Sequence, residues 1–111
     1  MEKTIDEIDF AKGDGLIPVI VQDINSKDVL TLAYTNKESL ELTRKTGNSW
    51  FWSRSRKKLW MKGEESGNNQ KVKEILIDCD YDAVIYLVES SGPACHTGKM
   101  KCFHNSLQQS N

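Results

Sequence analysis

The sequence predicts an α+β fold: a single small domain, 1–111, with a mainly antiparallel β-sheet and one or two helices. Three observations lead there. Runs of β-branched and apolar residues come in pairs separated by turn-forming residues, Ile17 to Ile24 with Val29 to Tyr34 and Lys71 to Asp78 with Ala83 to Glu89, which is the pattern of hairpins. A stretch between the pairs carries helix start and stop signals. A length of 111 residues supports one modest core and leaves no room for a separate regulatory domain.

The elements follow in order. Asn25-Ser26-Lys27-Asp28 makes the first turn. Thr35 or Asn36 can cap the helix, Glu38 stands three residues after Thr35 as in a capping box, and Gly47 is placed to end it;. A strand is expected around Asn48 to Ser55, then the second hairpin. The polar tail Asn105 to Asn111 is expected to be disordered.

Composition excludes several classes. With 15 basic and 16 acidic residues the net charge is -1, so no global field draws the chain to nucleic acid or an anionic membrane. The N-terminus lacks the apolar run of a signal peptide, and no stretch approaches the roughly 20 apolar residues of a membrane span. A cytoplasmic protein is expected. In that reducing compartment three cysteines do not form a disulfide framework, which leaves metal ligation or burial.

Alternation in Trp50-Phe51-Trp52-Ser53-Arg54-Ser55-Arg56, read as a strand, puts Trp50, Trp52, Arg54 and Arg56 on one face. Such a face suits a purine stacked on indole and a phosphate gripped by guanidinium; the competing reading is a tryptophan-filled core edge with solvated arginines. An RNA platform would use the same residues, but the balanced charge argues against it. The loop Lys62 to Gln70 combines two glycines with neutral donors at Ser66, Asn68 and Gln70, a composition that suits an anion or a ribose and is equally common in solvated connections.

Every cysteine and histidine lies between Asp78 and His104. Thiolate and imidazole suit zinc, and carboxylates suit a hard cation such as magnesium. Asp78, Asp80 and Asp82 share a face in a continuing strand or converge in a turn; either way the crowded charges oppose folding unless a cation or a base neutralises them. Cys95 and Cys102 are seven residues apart, unlike the short spacing of zinc fingers, and Cys79 is distant. If His96 or His104 supplies a fourth ligand the site is closed and structural; if water does, it is catalytic.

Taken together, Gly15-Leu16-Ile17-Pro18 with Val21-Gln22-Asp23, Leu32-Ala33-Tyr34, Phe51-Trp52-Ser53-Arg54-Ser55-Arg56, Leu59-Trp60 with Lys62-Gly63, Ser66-Gly67-Asn68, Asp78-Cys79-Asp80 with Asp82, and Gly92-Pro93-Ala94-Cys95-His96-Thr97-Gly98 through Cys102-Phe103 resemble the phosphoribosyl-AMP cyclohydrolases. The resemblance runs from about Gly15 to His104. It implies the third step of histidine biosynthesis, in which water opens the adenine ring of N1-(5-phosphoribosyl)-AMP between N1 and C6. It further implies an intertwined homodimer with active sites between subunits, one zinc per subunit on Cys79, Cys95 and Cys102, and one magnesium on Asp78, Asp80 and Asp82. On this view His96 is the general base. Arg54, Arg56 and Lys62 meet the terminal phosphates, Ser66, Gly67 and Asn68 line a ribose or phosphate loop, and Trp52 or Trp60 stacks the purine.

Two positions depart from the family pattern: Tyr81 stands where a small or polar residue is usual, and Thr35 where methionine is common. Tyrosine resists positive φ, so the turn at the aspartates is the point in question. Many relatives are fused to a phosphoribosyl-ATP pyrophosphohydrolase domain; this chain is expected to leave that activity to another protein. The resemblance leaves two other classes to be separated from it: a structural zinc module that binds a partner or RNA, and a different zinc nucleotide hydrolase, such as a deaminase that releases ammonia.

Overall fold

The computed structural model describes residues 2–92 and 98–109. Two short 3-10 turns, Ile5–Glu7 and Ala11–Gly13, precede β1 (Ile17–Asp23) and β2 (Val29–Thr35). Then come α1 (Lys37–Thr46), β3 (Trp50–Ser53), β4 (Lys58–Met61), β5 (Gln70–Ile77) and β6 (Val84–Ser90). The main sheet has the order β2-β1-β6-β5, and β3 with β4 forms a second, two-stranded sheet. Residues 103–109 have no regular secondary structure and are exposed.

Both expected hairpins are present, β1 with β2 and β5 with β6, and β1 runs parallel to β6 at the centre. In the first turn the Asp23 carboxylate accepts from the N–H groups of Ser26 (2.7 Å) and Asn25 (3.0 Å). Those bonds, the Ser26 one foremost, hold its pKa below the usual carboxylate value. Register assigns the faces. Ala33, Val19, Val84 and Ile77 lie opposite one another across four strands, as do Val21, Tyr86 and Ile75, and this face carries the core;. On the other face Leu32, Ile20, Ile85 and Leu76 form a second row across all four strands.

The helix starts one residue later than Thr35 and Glu38 suggest. Asn36 is the N-cap: its Oδ1 accepts from the Ser39 N–H (2.8 Å), while Ser39 Oγ accepts from the Asn36 N–H (2.8 Å). Thr35 instead ends β2 and is fully buried, its hydroxyl 2.5 Å from Ser39 Oγ. Gly47 ends the helix in the left-handed conformation (φ 76°) and donates to Thr43 O, as a C-terminal glycine should.

The strand expected over Asn48 to Ser55 is shorter, because the chain reverses after Ser53. Asn48 makes only an isolated bridge to Lys71. Lys57 takes φ 54° and its N–H donates to Ser53 O (2.8 Å), which feeds β4. β4 carries no local signal, since the run Arg54 to Lys58 has neither glycine nor asparagine to mark a turn;. Arg54 and Arg56 therefore sit in this turn rather than on a strand face shared with Trp50 and Trp52. Pairing puts Phe51 opposite Trp60 and Trp52 opposite Leu59, so the two tryptophans point to opposite faces.

Tyr86 closes the core. It is fully buried, its ring stacks on Phe51 (5.7 Å between centroids), and Phe51 in turn meets Trp60 (4.9 Å). Its hydroxyl lies 3.1 Å from Trp50 O, 3.2 Å from Thr43 Oγ1 and 3.4 Å from Thr35 Oγ1. Thr43 Oγ1 also accepts from the Trp50 N–H (3.0 Å). One phenol thus links β6, α1, the end of β2 and the start of β3. Burial pushes the Tyr86 pKa up. The native state therefore holds this proton where the unfolded chain has lost it, and that contribution to stability falls away as pH rises above about 10. Tyr86→Phe is expected to cost about 1 to 2 kcal/mol near neutral pH in urea unfolding, with the deficit narrowing at alkaline pH.

Candidate active site

The three aspartates occupy a turn. Asp78 extends the β5–β6 ladder by one step, its N–H donating to Ala83 O (3.0 Å). Its Oδ1 then accepts from the N–H groups of Asp82 (2.9 Å) and Ala83 (3.1 Å). Tyr81 adopts φ 61°, a left-handed conformation that costs on the order of 1 to 2 kcal/mol for such a residue. The position is held from both sides: the Tyr81 N–H donates to Asp78 O (3.2 Å), and its carbonyl accepts from the Asp9 N–H (2.7 Å).

The turn brings carboxylate oxygens of Asp78, Asp80 and Asp82 within 4.8 Å of one another. Desolvation, followed by hydrogen bonding with the Asp82 and Asp80 carboxyls, holds Asp78 above its ordinary pKa. The Lys12 ammonium draws Asp82 below its own. Lys12 Nζ lies 2.7 Å from Asp82 and 3.4 Å from Asp80, so a base from the segment before β1 neutralises part of the cluster. Sequence reasoning missed Lys12. The contact spans 68 residues and has no local signal.

Trp52 lines a cleft of about 470 Å³ with Phe10, Gly15, Leu16, the N-cap Asn36 and the first two residues of α1, Lys37 and Glu38. Trp60 lies on the core side against Phe51. Arg54 and Arg56 are exposed on the β3–β4 turn, and the Arg54 guanidinium rests over the Tyr34 ring, 3.8 Å from its centroid.

The loop after β4 is closed by its own backbone. The Lys62 N–H donates to Ser49 O (2.9 Å), the Gly67 N–H to Gly63 O (2.9 Å), and the Asn68 N–H to Ser66 Oγ (3.2 Å). Gly63 has φ 90°, and a Cβ there would come within 2.6 Å of Asn69 N, so only glycine fits. The Asn68 side chain packs where a Cβ of Gly92 would be. The loop with Ser66, Gly67 and Asn68 thus abuts the residue that leads into 93–97, a segment outside the described residues that contains Cys95 and His96.

The remaining cysteines lie far apart. Cys79 lies two residues beyond the end of β5, in the acidic turn, and is exposed. Cys102 is held at the opposite edge strand, its N–H donating to Leu30 O (2.6 Å). With the order β2-β1-β6-β5 the two edges are three strand spacings apart, about 14 Å. The acidic turn is also level with the far end of β2: Ile77 pairs with Val84, Val84 with Val19, and Val19 with Ala33. Two thiolates on one zinc lie within about 4.6 Å of each other, so one chain does not bring Cys79 and Cys102 to a common ion. Among the described residues the aspartates are the one group of potential metal ligands that converges.

Among the described residues no helix is long and apolar enough to cross a membrane. The family model for phosphoribosyl-AMP cyclohydrolase matches residues 31–104. The chain is 76% identical over 107 residues to the phosphoribosyl-AMP cyclohydrolase of Cenarchaeum symbiosum (strain A), covering 96% of this chain and 99% of the relative. Identity to the protein of the same name from Nitrosopumilus maritimus (strain SCM1) is 73% over 108 residues, 97% of this chain and 100% of the relative. The histidine biosynthesis bifunctional protein HisIE of Bacillus subtilis (strain 168) is 63% identical over 101 residues, 91% of this chain and 48% of that protein. An identity this high from end to end spans the acidic turn, the Trp52 cleft, the basic turn and the loop beside Gly92 alike, and on it the chain belongs to the phosphoribosyl-AMP cyclohydrolase family.

Proposed function

We propose that this chain is a cytoplasmic enzyme of histidine biosynthesis that opens the adenine ring of N1-(5-phosphoribosyl)-AMP. Water is added at C6 and the N1–C6 bond breaks, giving the phosphoribosylformimino-aminoimidazole carboxamide ribonucleotide. The observation that carries this reading is the end-to-end similarity to proteins named for that reaction.

The donor sets fit two different metals. Asp78, Asp80 and Asp82 offer converging hard oxygens for magnesium, while Cys79, Cys95 and Cys102 offer soft thiolates for zinc. Since Cys79 and Cys102 lie at opposite edges of one sheet, the zinc set is complete when Cys79 comes from one chain and Cys95 with Cys102 from another. A second copy also has a place to bind: the row Leu32, Ile20, Ile85 and Leu76 crosses the whole sheet, with Leu32 46% and Leu76 40% exposed, an apolar stripe that calls for a partner. The reading is therefore a homodimer with its active sites between subunits.

Bound zinc would supply acidification of a water toward neutral pKa. Three thiolates donate more charge than three imidazoles, so a protein base has more to do. His96 takes that part, accepting the water's proton and returning it to N1 as the ring opens, a task for a group that titrates near neutrality. The exocyclic nitrogen stays behind as a carboxamide. The purine lies against Trp52 in its cleft, with Trp60 behind it as core. Arg54, Arg56 and Lys62 meet the phosphates, and the closed loop of Ser66, Gly67 and Asn68 takes the ribose or a phosphate.

Two measurements check this reading. Purified protein incubated with phosphoribosyl-AMP should change the purine absorbance and release no ammonia; ammonia would mean a deaminase, and no reaction a structural zinc module. His96→Ala should lower turnover by about 10²- to 10⁴-fold while zinc content is unchanged. Loss of zinc would make His96 a ligand instead.

A further inference from the structure

We infer that Tyr34 is a positioning residue: its ring holds the Arg54 guanidinium flat and ready for a phosphate of the substrate. The inference rests on the proposed role of Arg54 as a phosphate contact and adds the group that prepares it.

Arg54 Cζ lies over the Tyr34 ring, 3.8 Å from its centroid, well inside the range of a cation–π interaction. Arg54 is exposed and, among the described residues, makes no ion pair, whereas Arg44 on α1 is paired with Glu41. Its charge is thus held in place by a neutral ring and left uncompensated. Stacking uses the face of the guanidinium, and its N–H donors all lie in the plane, so the contact fixes the group while leaving its donors free for phosphate oxygens. A carboxylate partner would have consumed them.

Both halves of the contact are anchored. Tyr34 is the next-to-last residue of β2, paired with Pro18 of β1, and half-buried. Arg54 stands on a turn closed by the Lys57 N–H to Ser53 O and by the Arg56 N–H to Ser53 Oγ (3.2 Å). Arg56 shares that turn and, among the described residues, has no ring beneath it. Two residues that line the Trp52 cleft, Asn36 and Trp52, stand two positions along the chain from Tyr34 and Arg54, so at the ends of β2 and β3 the chain runs between cleft and stack within two residues. A nucleotide with its purine on Trp52 meets the prepared guanidinium at the rim. Arg54, ahead of Arg56, is then the residue that sets substrate affinity, and Tyr34 is the reason.

The test is steady-state kinetics on phosphoribosyl-AMP with the full chain, for Tyr34→Leu, Tyr34→Phe, Arg54→Gln and the double variant Tyr34→Leu with Arg54→Gln. Tyr34→Leu should raise KM about three- to thirtyfold, the range spanned by exposed and desolvated cation–π contacts, with kcat little changed. Tyr34→Phe, which keeps the ring, should keep the low KM. The double variant should be no worse than Arg54→Gln alone. Should Tyr34→Leu misfold, phenylalanines of increasing fluorination at position 34 replace it, and KM should climb stepwise as fluorine drains the ring face; a merely structural ring would not respond. The inference is overturned if Arg54→Gln raises KM while Tyr34→Leu or fluorination does not, or if the two losses simply multiply. An unchanged KM in Arg54→Gln would overturn the phosphate role of Arg54 itself.

Discussion

The position of the candidate site depends on one buried hydroxyl. Tyr86 Oη sits within hydrogen-bonding reach of Thr43 on α1, Thr35 at the end of β2 and the Trp50 carbonyl at the start of β3. A phenol in an apolar core is costly unless its polar end is satisfied, so these elements meet where they can share it. The consequence is positional. β3 begins at a fixed point on the sheet, which sets where Trp52 faces its cleft and where the following turn carries Arg54 to the ring of Tyr34. The helix N-cap is tied in through the Thr35–Ser39 hydroxyl contact, so the α1 end of the cleft shares the same anchor.

In the turn that leads into β6 the constraint is charge. Three carboxylates within 4.8 Å are tolerated because the turn supplies backbone N–H groups to Asp78 and because Lys12 neutralises part of the remainder. Cys79 is embedded in this turn and shares its location at the β5 edge, while Cys102 is fastened to β2. The order of the sheet thus bears on the proposed zinc site: Cys79 and Cys102 stand at opposite edges of one chain, and under the proposed homodimer they would come together from two chains. The apolar row on the sheet face opposite the core offers the means of combining them.

Much of this was legible in the sequence, for physical reasons that can be named. The two hairpins of the main sheet declare themselves through local alternation and turn residues, and Gly47 marks the helix end because only a residue at ease with positive φ belongs there. That the three aspartates gather was legible under either reading of their segment, strand face or turn, and the structure puts them in a turn. Hidden features were those made by long-range contact or by unfavoured local geometry. β4 was invisible because Lys57 makes a left-handed turn without the glycine that would announce it. Asn36, one of the two caps the sequence offered, is the N-cap, and its partner is Ser39 rather than a Thr35–Glu38 box because Thr35 is consumed by the core. Tyr81 adopts the positive φ its side chain resists because flanking hydrogen bonds impose it. Lys12 and Tyr34 owe their roles to residues that are distant in sequence.

The central claim is that the zinc ligands are divided between two chains, and mixing tests it most directly. Cys79→Ser and Cys102→Ser are each expected to be inactive when produced alone. Produced together, they form about half mixed dimers by random association, each with one intact site of two, so the account predicts recovery of about a quarter of the wild-type ring-opening rate together with a matching quota of bound zinc. A mixture as inactive and zinc-poor as its parents would show that each site draws its cysteines from a single chain, and would contradict the account.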